Sequence, residues 1–447
     1  MADFPKRLLE DISGFPTLGP AEAIAQERML AVIRKHFAAA GYAPLETPLV
    51  ERPEVLAAKN EGEIANQIYG LRLLNPEEGA SDEKDLALRF DHTVPLARYV
   101  ATHARELPFP FRRSAIGKVL RGERAKDGRY REFLQADIDA VGHGALSLLH
   151  DAEMVAVIAG IFAELDFGPF TVRINNRKVL AAIIRHMGGE DAAMPELMRA
   201  IDRLEKAGKE KTALALVAHG MQQERAKELL EFLPAKRSAV ETLAFLEGAG
   251  LDDEGKEGLA ELKEVIKGVE SMGVPPERYT IDLSIARGLS YYTGSVFETA
   301  LDEHPDLGSI ASGGRYDGLA SAYTKEAYPG VGISIGVSRL LARLIKAGIV
   351  EAKAQTPAKV LVTTAERERL AEYLNYAKEL RAAGVAAEIY LEEKPLDKQL
   401  AFANKKGFPY ALIAMQEHFA KGVVVLRDLA TGEQKELPPA ELARALG

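Results

Sequence analysis

Ile24, Leu30, Ile33 and Phe37 recur near helical spacing between Pro20 and Gly41, which predicts a helix over 20–40 with the proline in its first turn and the glycine at its end. Residues 42–50 then read as a strand interrupted by Pro48, and a proline inside a strand marks an edge or a boundary. From 133 to 141 the period changes to two. Phe133, Gln135, Asp137, Asp139 and Val141 share one face, while Leu134, Ala136, Ile138 and Ala140 share the other. The apolar face belongs against a core. Two aspartates and a glutamine opposite are unusual for plain structure, although a solvent-exposed sheet face would carry them too. Residues 331–338 alternate again: Val331, Ile333, Ile335 and Val337 oppose Gly332, Ser334, Gly336 and Ser338. The second of these faces is nearly flat and lets a planar ligand lie on the sheet. Ser338 is expected to cap a helix over 339–347. Arg339 then sits in the first turn, where a cation opposes the helix dipole. Such a local conflict points to function, for instance binding a polyphosphate.

Between about 179 and 274 Ala, Leu, Glu and Lys dominate and strand signals vanish, which reads as a helical insertion between two halves of one sheet (1–178 and 275–350). A short linker follows at 351–357. Beyond it, over 358–447, the expected order is strand 359–362, helix 366–383, strand 386–391, helix 396–406, strand 410–414 and a last strand at 423–427. This order predicts a small, mostly parallel sheet with flanking helices. It opens without a G-x-G-x-x-G turn, which argues against a dinucleotide site.

A chain of 447 residues exceeds one ordinary core, so two or three domains are expected. It has no cysteine, which excludes disulfides and thiolate zinc sites and fits a reducing compartment. No secretory signal or membrane-spanning run is evident, so a cytoplasmic location is expected. No His-Glu-x-x-His spacing and no dense carboxylate cage occur, so no protein-held metal is expected. The net charge of −9 argues weakly against a nucleic-acid partner, but a local basic run suffices for one. Such a run comprises Arg112, Arg113, Lys118, Arg121, Arg124, Lys126, Arg129 and Arg131, and a solvated strand edge would explain it equally.

The densest chemistry lies at 286–298, Ala-Arg-Gly-Leu-Ser-Tyr-Tyr-Thr-Gly-Ser-Val-Phe-Glu. Arg287 can fork onto a carboxylate or phosphate. Tyr291 and Tyr292 point to opposite faces if the segment is extended. Alone, an ordinary hairpin would account for it as well. However, the stretch resembles the Arg-Gly-Leu-Asp-Tyr-Tyr signature of histidyl-tRNA synthetases. Further likenesses to that family lie at 312–318 (Ser-Gly-Gly-Arg-Tyr-Asp-Gly), at 121–124 (Arg-Gly-Glu-Arg), at 128–133 (Gly-Arg-Tyr-Arg-Glu-Phe) and over the C-terminal part.

The resemblance implies an α/β multidomain protein. Its catalytic core would be the antiparallel sheet of class II synthetases, with a helical insertion and a C-terminal anticodon-binding domain. It implies ATP and Mg²⁺, with L-histidine and tRNA as substrates, and a homodimer through the helix at 20–40 and the strand near Pro48. The reaction would be adenylation of an amino-acid carboxylate, which is already an anion. Positioning and positive charge, rather than a general base, would then drive it. On the same likeness Arg121 grips the α-phosphate and the carboxylate, Arg287 bridges them, and Arg339 takes the γ-phosphate. Glu123 meets the adenine amino group, Phe133 stacks on adenine, and Arg129 adds a phosphate contact. Asp91 and Thr93, in the stretch Arg-Phe-Asp-His-Thr-Val-Pro (89–95), bind the α-amino group with help from Gln135. Asp139 and Tyr292, with Tyr291 beside it, meet the two imidazole nitrogens. A site that satisfies both nitrogens rejects amino acids lacking them, because its own polar groups would be left unpaired.

Two positions depart from the pattern: Ser290 replaces the usual aspartate, and His92 stands where small or apolar residues are common. Two alternatives remain at this point. One is a non-catalytic paralogue such as an ATP phosphoribosyltransferase regulatory subunit, against which Arg121, Arg287, Arg339 and the C-terminal domain argue. The other is a class II synthetase for a different amino acid, against which the stretch 287–292 argues.

Overall fold

The computed structural model describes residues 9–58, 65–72, 74, 86–124, 129–233, 238–286 and 292–447. They form two compact units, one of the described residues within 9–16 and 29–349, the other of those within 17–28 and 350–447.

The helix Pro20–Ala39 buries Met29, Leu30, Ile33 and Phe37, three of them from the expected apolar stripe. The single strand expected over 42–50 is instead two short pieces, β1 (Ala43–Pro44) and β2 (Val50–Glu51). Pro44 and Pro48 lack the N–H groups a continuous ladder needs. β2 joins β3 (Tyr69–Leu71) and β4 (Leu86–Leu88) in a small antiparallel sheet of order β2-β4-β3.

The large sheet has order β1-β5-β6-β11-β10-β9-β7-β8. Its strands are β5 (Phe111–Leu120), β6 (Glu132–Val141), β7 (Phe170–Asn176), β8 (Tyr279–Ile281), β9 (Ser295–Leu301), β10 (Ala311–Tyr316) and β11 (Gly330–Ile335). All its ladders are antiparallel except β1 with β5 and β7 with β8. β6 lies inside the sheet, and both of its faces are covered. Ala136, Ile138 and Ala140 on one face are wholly buried, and so, nearly, are Gln135, Asp137 and Asp139 on the other. The solvent-exposed face allowed by the sequence pattern is therefore ruled out. The helix Leu149–Leu165, rich in Ala, Val and Ile, packs on β11, β10 and β7 of the same sheet.

Residues between β7 and β8 are helical. The helix Arg177–His186 begins with Asn176 capping the Lys178 N–H (2.9 Å). It packs along the helix Asp253–Ser271, which Asp252 caps through the Gly255 N–H (2.8 Å).

The second unit carries β12 (Val360–Val362), β13 (Ala387–Ile389), β14 (Tyr410–Ile413), β15 (Val424–Asp428) and β16 (Gln434–Leu437), in order β13-β12-β14-β15-β16. Only the β13, β12, β14 half is parallel, and the other two ladders are antiparallel. The mostly parallel expectation fails because β15 runs antiparallel to β14 and then forms a hairpin with β16. Asp428 closes its turn by accepting from the Ala430 and Thr431 N–H groups. Gln434–Leu437 is mostly exposed and lacks an apolar run, so its pattern gave no strand signal.

Candidate functional site

A pocket of about 550 Å³ opens over the face of the large sheet that carries Gln135, Asp137 and Asp139. Asp91, Thr93, Arg121, Glu123, Arg129, Phe133, Tyr292 and Arg339 also line it. Arg287 and Tyr291, like Ser290, lie outside the described residues. The remaining sequence candidates thus come together from five separate stretches of chain.

Register explains the floor. Across β6, Asp139 faces Arg113 on β5 and Gly332 on β11, while Asp137 faces Ser334. Gly332 is needed here, because a Cβ at that position would sit 2.2 Å from the Asp139 Oδ1. Gly314 on β10 plays the same part under Tyr292, whose Cγ would be 2.9 Å from an added Cβ. The flat face expected over 331–338 is limited to Gly332 and Ser334, because β11 ends at Ile335, and the Asp139 side chain lies against Gly332.

Asp139 is held on both oxygens. Arg113 pairs with Oδ2 at 2.7 Å, and the Tyr316 hydroxyl donates to Oδ1 at 2.7 Å. Burial raises the Asp139 carboxyl above its ordinary value, and Arg113 and Tyr316 oppose that rise. Asp137 is 3% exposed, and its Oδ1 has no hydrogen-bond partner. Burial pushes its carboxyl up to about 7, against Arg113 and a hydrogen bond from Ser334. Asp91 accepts from the Val94 N–H at 3.1 Å at the start of the helix Thr93–His103. Burial raises its carboxyl too, while that N–H and Arg121 counter it.

His92, one of the two sequence departures, is buried beneath the site. Its Nε2–H donates to the Gly117 carbonyl (3.2 Å). Burial, with Arg113 and Arg89 nearby, pulls its imidazole down to about 3, so the ring is neutral at physiological pH.

At the mouth, cations gather. Arg121 donates from Nε to the Phe90 carbonyl (3.0 Å) and lies 3.5 Å from Gln135 Oε1. The Arg339 guanidinium rests 3.5 Å above the centre of the Phe133 ring and pairs with Glu123 at 2.5 Å. Arg129 approaches the same carboxylate at 3.6 Å. Arg339 does lie in the first turn of its helix, Val337–Lys346, but Ser338 is not the cap. Gly336 holds that place, and the Ser338 hydroxyl instead accepts from the Leu134 N–H (3.1 Å), tying the helix to β6.

The basic run at 112–131 is not one surface. β5 runs inside the sheet, between β1 and β6, so alternate residues face opposite ways. Arg113 is 1% exposed, Arg112 pairs with Glu153 (2.5 Å), and Arg131 donates to the Glu123 carbonyl (3.1 Å). Lys126 lies outside the described residues.

Sequence reasoning missed Arg113, Asp137, Tyr316 and Ser334. A signal existed for two of them. Arg113 and Arg121 are an even number of residues apart on an extended segment, and Asp137 shares the polar face of β6. Tyr316 and Ser334 reach the site only through pairing of distant strands.

The arrangement sets buried carboxylates and an amide on the floor and arginines at the mouth. A family model described as histidyl-tRNA synthetase matches residues 14–340, and one described as anticodon binding domain matches 359–447. The chain belongs to the histidyl-tRNA synthetase family. A histidine–tRNA ligase from Xanthomonas axonopodis pv. citri is 42% identical over 97% of this chain and 94% of its own length. The crystal structure of the histidyl-tRNA synthetase from Nostoc sp. superposes with a TM-score of 0.88 at 40% identity, covering 98% of each chain. A protein from Bacillus halodurans, titled an ATP phosphoribosyltransferase regulatory subunit/histidyl-tRNA synthetase, shares the fold at a TM-score of 0.70 but only 22% identity.

Proposed function

We propose that this chain joins L-histidine to tRNA through a histidyl-adenylate formed from Mg·ATP. The observation that carries this reading is the single pocket with acidic and amide acceptors on its floor and arginines at its mouth. In the first step a histidine carboxylate oxygen bonds to the α-phosphorus of ATP, and the bond from that phosphorus to the bridging oxygen breaks to release pyrophosphate. In the second step a terminal tRNA hydroxyl attacks the adenylate carbonyl and AMP leaves.

Asp91, Thr93 and Gln135 receive the α-ammonium. Asp139 and Tyr292, with Tyr291 beside it, receive the imidazole. Arg121 and Arg287 neutralise the charge that builds between carboxylate and α-phosphate. Phe133 stacks on adenine, Glu123 meets its amino group, Arg339 holds the γ-phosphate and Arg129 adds a phosphate contact. Mg²⁺ would come with the nucleotide and offset phosphate charge, and few protein ligands would be needed to hold it. Arg339 covers Phe133 and pairs with Glu123, so adenine stacking on that ring requires the guanidinium to shift.

The proposed division of labour is a catalytic core of 1–178 and 275–350, a helical insertion over 179–274, a linker at 351–357 and an anticodon-binding domain over 358–447. Lys398, Lys405 and Arg427 are candidates there for the RNA backbone; Lys406 is held by Glu388 at 2.7 Å, and Lys398 lies 3.7 Å from Asp397. A homodimer forms through the helix Pro20–Ala39 and the segment after it. Support comes from an open groove of about 560 Å³ lined by Phe37, Tyr42, Pro44, Leu45 and Leu49. A monomer at micromolar concentration in sedimentation equilibrium contradicts that assembly. No described helix is long and apolar enough to cross a membrane. With tRNA as its substrate, the protein works in the cytoplasm.

ATP–pyrophosphate exchange tests the central claim. Exchange that depends on histidine is expected. Absence of exchange, or dependence on another amino acid, overturns it.

A further inference from the structure

We propose that Asp137 is a positioning residue: acting through Ser334, it decides which end of the Gln135 amide faces the pocket. The proposal rests on the reading above, in which Gln135 receives the α-ammonium.

Gln135 Nε2–H donates to the Ser334 hydroxyl oxygen at 2.6 Å. Ser334 stands opposite Asp137 in the β6–β11 ladder, where its hydroxyl acts as the donor that holds the Asp137 carboxyl down. Its single hydrogen cannot serve two acceptors. If the amide were turned over, Gln135 Oε1 would face Ser334 and compete with Asp137 for that hydrogen. Asp137 cannot release it cheaply. The residue is 3% exposed and its other oxygen, Oδ1, already lacks a partner. A buried carboxylate stripped of its donor is strongly disfavoured. When ionised, as at pH 8, Asp137 therefore claims the serine hydrogen, Ser334 must accept from Gln135, and Gln135 turns its carbonyl oxygen toward Arg121 and the pocket. That oxygen is an acceptor, the polarity an ammonium needs. The opposite orientation would aim an NH₂ group at a cation. Asp91 and Asp139 do not substitute for Asp137 here, since Asp91 caps a helix and Asp139 is bound by Arg113 and Tyr316.

The test measures equilibrium binding by calorimetry at pH 8, with full-length wild type and the variants Asp137→Ala, Ser334→Ala and Asp137→Asn. The ligands are L-histidine and 3-(imidazol-4-yl)propionate, which lacks the ammonium. Asp137→Ala and Ser334→Ala should each weaken L-histidine roughly tenfold, the scale of one hydrogen bond to a charged group. Both should leave the propionate within about twofold, since no ammonium contact is at stake. Asp137→Asn keeps an acceptor for the serine hydrogen and should lose much less than Asp137→Ala. In pyrophosphate exchange the loss should appear in the histidine KM more than in kcat. Equal weakening of both ligands would mean a collapsed pocket and overturns the relay. A loss in Asp137→Ala with none in Ser334→Ala would mean direct contact between Asp137 and substrate, and overturns it too. If Asp137→Ala does not fold, Ser334→Ala decides alone. Wild type that binds no histidine would sink the function itself, a result distinct from all of these.

Discussion

The two larger sheets of this molecule bury different things. In the eight-stranded sheet one face of β5 and β6 carries Arg113, Gln135, Asp137 and Asp139, all under 8% exposed. In the five-stranded sheet the interior is Val360, Val362, Leu412, Val424 and Leu426. Most of its buried polar groups are tied off locally: Gln399 accepts from the Thr364 N–H (2.8 Å), and Thr363 donates to the Leu412 carbonyl (2.8 Å), with Arg427 Nε on β15 an exception. The first sheet leaves Arg113 Nε and Nη1 and Asp137 Oδ1 without partners. Buried charges are poor sources of stability, and unsatisfied ones cost more. Their concentration under the pocket marks the surface where a polar ligand is received. The second sheet is a packed scaffold whose chemistry lies on its outside.

This contrast breaks most directly at Asp139. Asp139→Ala leaves Arg113 buried without its carboxylate, so the catalytic unit should lose about 3–5 kcal/mol in denaturant unfolding. Histidine affinity should fall with it while ATP affinity holds. If stability is unchanged, Arg113 has found another partner and the pair is not what organises the floor.

At the pocket mouth the expectation reverses, with large loss of rate and little loss of stability. Arg121→Ala should slow adenylate formation by about 10²–10³, the usual effect of deleting one preorganised donor. Arg287→Ala should do the same on the family's pattern. Single-turnover formation of the adenylate reads both, and a rate within about threefold of wild type, far short of that effect, removes the residue from the mechanism.

The scaffold sheet offers the opposite experiment. Leu412 is wholly buried in β14. Leu412→Ala should cost about 3 kcal/mol through lost burial and the cavity left behind. On the proposed division of labour, tRNA charging falls while histidine-dependent pyrophosphate exchange persists. Exchange that falls in parallel with charging would show that the two units do not act separately.

How much of this was legible beforehand depended on the range of the interaction. The period-two pattern at 133–141 located β6 and its polar face correctly. It could not say that the face is buried, because alternation reports two different faces without reporting what covers each. Arg113 looked like one basic residue among eight, and only the pairing of β5 with β6 sets it opposite Asp139. Ser338 satisfied every local rule for a helix cap, yet the helix begins one residue after Gly336 and the hydroxyl serves β6 instead. The family likeness supplied residue roles that no spacing rule contains. It did not indicate Asp137, which needed the Gln135–Ser334 contact to acquire a meaning.

The smallest expected effect concerns pH, and the two sheets should differ in its sign. Asp137 faces Arg113, Asp139, Asp91 and Ser334, with Arg89 also within electrostatic reach, and burial lifts its carboxyl from 3.8 to about 7. A carboxyl raised on folding binds its proton more tightly in the native state. Its contribution is therefore fully present below pH 3.8 and is lost as pH climbs through about 7. Exposed Glu372 and Asp428 of the scaffold unit are shifted down by hydrogen bonds, so their contribution is present at neutral pH and lost in acid. Asparagine at 137 cannot titrate. The stability of Asp137→Asn relative to wild type should consequently rise between pH 5 and pH 8, by on the order of 2 kcal/mol if one proton is involved. Denaturant unfolding at several pH values, with Asp428→Asn as the scaffold counterpart, measures both signs. Should the Asp137→Asn difference stay flat across that interval, the carboxyl is already ionised at pH 5. Arg113 then outweighs burial, and the floor of the pocket is an ordinary ion-pair network rather than a site holding charge against its own desolvation.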